Sequence, residues 1–156
     1  MAWQWWLFLH LAGVLTFVGA HGVSMFVMYR IRSERDRRRI AELITFSGTT
    51  TRPMYLALMI LTIGGVGAGI TLHLFTQWWL WISIFILLIT IGLMSGLAKP
   101  YFRRITAACE IRPSGVPRVS DEELEQLLRS GEAHVISAIG VVGLWSVLYL
   151  MLFKPF

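Results

Sequence analysis

The chemistry-bearing side chains of the apolar stretches in this 156-residue chain are four histidines: His10, His21, His73 and His134. Neutral imidazole is a good metal ligand, and axial histidine pairs on facing helices are the usual way a membrane bundle holds haem. Eleven residues at ~100° each bring His21 to within ~20° of His10 on one helix, ~16 Å apart along its axis, so both point from one face. Matching the four by depth pairs His10 with His73 and His21 with His134, each pair offset by roughly 8 to 10 Å along the helices. A porphyrin is flat and wide and needs small neighbours. Gly13 lies one turn from His10, Gly69 one turn from His73, Gly22 beside His21 and Ala138 one turn from His134. The expectation is a b-type haem, with His10 and His73 as the first candidate ligands to its iron and His21 and His134 as a second pair. Interhelical hydrogen bonding and a different metal or chlorin pigment are the alternatives for His10 and His21, and headgroup-level polar contacts for His73 and His134.

Other chemistries find little to work with. Cys109 is the only cysteine, which excludes an internal disulfide and any cysteine-rich metal site. Met25, Met28, Met54, Met59, Met94 and Met151 are scattered in the sequence, which disfavours a soft-ligand copper motif. No nucleophile-and-base set, paired carboxylate or nucleotide loop stands out, so an enzyme is the third choice and no catalytic residue is assigned.

These histidines must be positioned by helices in lipid. The chain is 56% hydrophobic with a mean hydropathy of +0.65, too apolar for a soluble domain of its size. Stretches 2–29, 53–98 and 133–153 contain no Asp, Glu, Lys or Arg. One crossing needs ~20 residues, so the middle stretch must fold back on itself, and Leu74-Phe75-Thr76-Gln77 is the natural hinge. The predicted fold is all-α: a single membrane domain, 1–156, forming a bundle of four transmembrane helices. Spans fall at about 3–29, 53–75, 77–98 and 133–153, with loops at 30–52 and 99–132. No basic region precedes the first apolar run, so that run is read as a retained helix and not as a secretory signal.

Charge sets the orientation. The net charge is +5, and thirteen of the fourteen basic residues lie in the two loops. The positive-inside rule then makes both loops cytoplasmic and both termini external, in the inner membrane of a bacterium. Six of the seven tryptophans, Trp3, Trp5, Trp6, Trp78, Trp79 and Trp81, fall at the opposite, outer surface, the depth their amphipathic rings prefer. Arg30 to Arg39 is read as a charged stalk continuing the first helix toward anionic headgroups. Nucleic acid is not expected, because no aromatic residues interleave the arginines.

In the second loop, Pro113, Gly115 and Pro117 mark irregular chain, after which Ser120 and Glu123 form a capping box. A short amphipathic helix is predicted from Asp121 to about Arg129, with Leu124, Leu127 and Leu128 as its apolar stripe. Small residues suited to helix packing in lipid recur in every span: Ala12, Thr16, Ala20 and Ser24; Gly65 and Gly69; Gly92 and Gly96; Gly140 and Gly143. The short turn makes the second and third spans antiparallel neighbours.

The run Leu9-His10-Leu11-Ala12-Gly13, then Phe17-Val18-Gly19-Ala20 and an arginine-rich end, resembles the first span of several small bacterial four-span families. These are uncharacterised integral membrane proteins, the copper-resistance-D type, and the haem-binding membrane protoporphyrinogen oxidases. The resemblance covers about a third of the chain. In the oxidase family a first-helix histidine ligates haem, which carries over to His10. That family also uses a membrane lysine, for which only Lys99, at the cytoplasmic end of the third span, is available. Two functions are therefore expected: a haem-b protein transferring electrons, or a non-catalytic accessory subunit of a larger redox or photosynthetic membrane complex.

Overall fold

The computed structural model describes residues 2–155. Its elements, in chain order, are α1 (Ala2–Arg30), a 3-10 turn (Ile31–Ser33), α2 (Arg37–Thr49), α3 (Thr51–Thr71), a second 3-10 turn (Leu74–Thr76), α4 (Trp78–Cys109), α5 (Asp121–Arg129) and α6 (Glu132–Phe153). Among the described residues, four helical runs are long and apolar enough to cross a membrane. The protein is an all-α, multi-pass membrane bundle.

The helices associate as two antiparallel hairpins. In the first, α1 runs against α3 so closely that their backbones touch. A Cβ at Gly13 would lie 2.8 Å from Leu61 Cα, one at Gly64 2.8 Å from His10 Cα, and one at Gly67 2.8 Å from Cε2 of Trp6. The buried stripe of α3, Ala57, Leu61, Gly64 and Ala68, repeats every three to four residues and is occupied by α1. In the second hairpin, α4 runs against α6, where a Cβ at Gly143 would lie 2.9 Å from Thr90 Cβ. With lipid on every other side, close approach of small residues is what drives such pairing. The hydroxyls of Ser83 and Thr90 donate to carbonyls one turn back, at 2.7 and 2.8 Å, so neither is left unpaired in an apolar setting.

Three expectations need correction. The second and third spans, α3 and α4, are joined by a short turn but do not pack along their lengths. The small-residue stripe of α3 is already covered by α1, and the left-handed backbone at His73 redirects the chain. The GxxxG pair Gly92 and Gly96 does not join helices within this chain, since a Cβ at either would meet nothing within 4 Å. The glycines that close the α1–α3 contact include Gly13 and Gly64, which the GxxxG pattern passes over.

The third correction concerns the loops, which are mostly helical. Arg30 to Arg39 is not a stalk continuing α1, because the helix ends in the 3-10 turn and a new helix begins at Arg37. Backbone amides of Arg35 and Asp36 donate to Glu34 Oε1 at 3.0 and 3.4 Å, and that of Arg38 donates to Asp36 Oδ1 at 2.9 Å. These carboxylates turn the chain and cap α2, which starts back along α1. Ser47 then donates to Ser24 Oγ at 3.0 Å. In region 99–132, α4 runs through Pro100 to Cys109. Proline removes a helical hydrogen bond, but Tyr101, Ile105 and Ala108 beyond it are almost completely buried, and that burial holds the extension helical.

Those residues belong to the densest part of the molecule, at the arginine-bearing end. Val27, Met28 and Ile31 meet Ile40 of α2, Tyr101 and Ile105 of α4, Leu124 and Leu128 of α5, and Ala133 and Ile136 of α6. The helix at 121–129 forms where predicted, with Ser120 Oγ accepting from Glu123 N at 3.2 Å, and its leucines seal this core. At the tryptophan-bearing end, Lys154 terminates α6 in a left-handed conformation and sets its ammonium 5.6 Å from the Trp79 ring centroid, a cation–π contact.

Candidate functional site

His10 faces α3. Its Nδ1 lies 2.7 Å from the carbonyl oxygen of Leu61. A carbonyl only accepts, so Nδ1 carries a proton, and in the neutral ring the lone pair is then on Nε2. Gly65 makes the room: a Cβ there would sit 2.9 Å from Nδ1. This satisfies the imidazole in an apolar setting and orients it in the tautomer that metal-binding histidines adopt when a backbone carbonyl holds their other nitrogen.

His21, on the same helix, meets different partners. Its ring stacks on Phe17, with centroids 6.0 Å apart and planes 3° from parallel. Its Nε2 lies 3.5 Å from where a Gly140 Cβ would be, and Met94 Sδ lies 2.9 Å from the same point. His21 therefore occupies the junction of α1 with the α4–α6 hairpin, beside a thioether. The proximity to Met94 had no signal in the sequence, because it depends on the register of α4 against α6.

His73 and His134 are exposed. His73 adopts φ 54°, in the left-handed region, where it ends α3. Its carbonyl accepts from Thr76 Oγ1 at 3.2 Å. His134, in the first turn of α6, has Nδ1 3.3 Å from the Tyr29 hydroxyl, with the rings 5.6 Å apart.

The structure does not bring the four together in ligand pairs. His10 is level with Gly64, nine residues before His73, which separates the two by ~13 Å along the axis. The α1 and α3 backbones touch at this level and leave no slot for a macrocycle between them. His21 is level with Gly140, six residues beyond His134, or ~9 Å. Among the described residues no group of three His, Cys, Asp or Glu side chains converges. Neither proposed pair thus fits the two axial positions of one haem inside a single copy of the chain.

The arginine-bearing end holds a second constellation that charge counting did not reveal. Arg37 donates to the carbonyls of Ala108 at 2.8 Å and Val119 at 2.9 Å, and to Asp121 Oδ1 at 2.6 Å. Arg32 donates to the Ser130 carbonyl at 2.8 Å, and Arg104 pairs with Glu132. In sequence these are three more basic loop residues. In the fold Arg32 and Arg37 tie the end of α4 and both ends of α5 to the chain around the α1–α2 turn, and Arg104 ties α4 to the start of α6.

No known protein family, curated protein or solved structure matches this chain.

Proposed function

We propose that this protein is a non-catalytic accessory subunit of a larger membrane assembly, seated in a bacterial inner membrane with its arginine-bearing end in the cytoplasm. One observation carries the reading. Gly13, Gly64, Gly67, Gly140 and Gly143 are consumed inside the two hairpins, whereas Gly19 and Gly22 of α1 and Gly92 and Gly96 of α4 face open space. Glycine within a helix costs about 1 kcal/mol relative to alanine. Outward-facing glycines on two membrane helices suit docking against the helices of another protein. The buried core at the arginine-bearing end joins the two hairpins, while the outer glycine faces of α1 and α4 stay open.

Mild-detergent purification from native membranes tests this. A polytopic partner should co-purify in fixed ratio, survive His10→Ala, and be lost with Gly92→Leu. A monodisperse single chain recovered in native lipid, with no partner before or after the glycine change, would end this reading.

The fixed tautomer of His10 favours a second reading, in which its Nε2 ligates a haem b whose other axial ligand comes from a partner. Oxidised and dithionite-reduced absorption spectra of the purified complex decide it. A haem band lost in His10→Ala supports this role, and a colourless complex rejects it.

A further inference from the structure

On the exposed face of α4, near the arginine-bearing end, a shallow open depression is lined by Ser95, Gly96, Lys99, Pro100 and Arg103. We propose that it binds the headgroup of an anionic glycerophospholipid of the phosphatidylglycerol type. This inference shares Gly96 with the partner reading above but is tested on the chain without a partner, so its failure leaves that reading standing.

Three features converge there. Gly96 leaves a gap in the helix surface, and a Cβ added to it would meet nothing within 4 Å. Pro100 has no N–H to offer the Gly96 carbonyl four residues back. That carbonyl, directed along α4 toward its C-terminal end where Lys99 and Arg103 lie, lacks its usual helical donor and adds negative potential that only the two cations offset. Lys99 and Arg103 lie one turn apart on one face, and neither forms an ion pair among the described residues. Like charges at this spacing destabilise a helix unless an anion lies between them. The adjacent Arg104 differs, being paired with Glu132.

Position favours a lipid over free phosphate. The apolar block of α4 ends at Ala98, so the depression lies at headgroup depth. Leu93 and Leu97, immediately toward the bilayer centre, are exposed and offer a surface for acyl chains. A phosphodiester between Lys99 and Arg103 therefore keeps its chains in the membrane and its headgroup hydroxyl within reach of Gly96 and Ser95.

The test is native mass spectrometry of the full chain released from nanodiscs of equal phosphatidylglycerol and phosphatidylcholine. Wild type should retain phosphatidylglycerol preferentially. Lys99→Gln/Arg103→Gln should reduce that retention roughly tenfold. Arg35→Gln/Arg39→Gln, an equal change of charge elsewhere, should leave it within about twofold. Gly96→Leu keeps every charge and fills the depression, so it should also release the lipid; it decides the matter if the double variant does not fold. Unchanged retention in Gly96→Leu, or equal losses in both double variants, overturns the site. Displacement of the lipid by inorganic phosphate alone overturns its assignment to a lipid.

Discussion

Arg37 and Asp121, 84 positions apart in the chain, are joined by two hydrogen bonds from one guanidinium to one carboxylate oxygen, Nε at 3.1 Å and Nη2 at 2.6 Å. The arginine side chain is largely buried and the aspartate largely exposed. The weight of the contact therefore falls on the two backbone carbonyls that Arg37 also holds.

Truncating the two partners should separate these contributions. Arg37→Ala leaves the carbonyls of Ala108 and Val119 without this donor and should cost about 2–3 kcal/mol. Asp121→Asn removes only a solvent-screened ion pair and should cost under about 1 kcal/mol. Arg37→Lys should fall nearer to alanine than to wild type, since an ammonium cannot reproduce the fork. Unfolding in mixed micelles followed by circular dichroism gives the three values. Equal losses for Arg37→Ala and Asp121→Asn would mean that the ion pair, and not the carbonyl contacts, holds this end together.

Among the glycines, Gly64 and Gly19 should respond oppositely. A Cβ at Gly64 meets the His10 backbone, which cannot yield as a flexible side chain can, so Gly64→Ala should destabilise by about 1–3 kcal/mol. Gly19→Ala adds a methyl group to open space and should be neutral or mildly stabilising in the isolated chain. The same micelle unfolding experiment compares them. Similar losses at both positions would contradict the close α1–α3 contact.

His73 should be replaceable by glycine. Its left-handed backbone costs an ordinary L residue about 1–2 kcal/mol, so His73→Gly should hold or raise the melting temperature and His73→Val should lower it. If His73→Gly loses stability or a bound chromophore, the imidazole does more than end the helix.

The turn after α1 should weaken in acid. Backbone donation from Arg35, and next from Asp36, holds the Glu34 carboxyl below the usual carboxylate range, with Arg30 adding attraction. A carboxyl whose folded pKa lies below its unfolded value stabilises the fold fully above the unfolded pKa, near ~4.3, and loses that contribution as pH falls through the folded value. Protection of the Arg35 and Asp36 amides, taken relative to their intrinsic exchange rates, should fall over that acid window in wild type. In Glu34→Gln the protection should be lower at neutral pH and nearly independent of pH across the window. Equal protection of the two proteins at neutral pH would show that the carboxylate does not hold this turn.

The sequence by itself determined the solvent, the number of crossings and the short helix at 121–129. Apolar length, a hinge at 74–77 and a capping box are local quantities that need no knowledge of neighbours. It also showed that His10 and His21 share a face, because helical periodicity is local too. It could not show what that face meets. In lipid, helices gain little from hydrophobicity on pairing, so their partners are chosen by which small residues let two backbones touch. Several motifs compete equally well in one dimension: Gly65 with Gly69 against Gly13 with Gly64, and Gly92 with Gly96 against Gly140 with Gly143. Only the tertiary structure decided that α1 takes α3, that α4 takes α6, and that one glycine pair stays outside. The same choice set the Leu61 carbonyl against His10 and Met94 beside His21. At the arginine-bearing end, charge counting assigned these residues to the two loops, but long-range contacts decided that Arg37 and Arg32 would be spent on backbone carbonyls while Lys99 and Arg103 form no ion pair among the described residues.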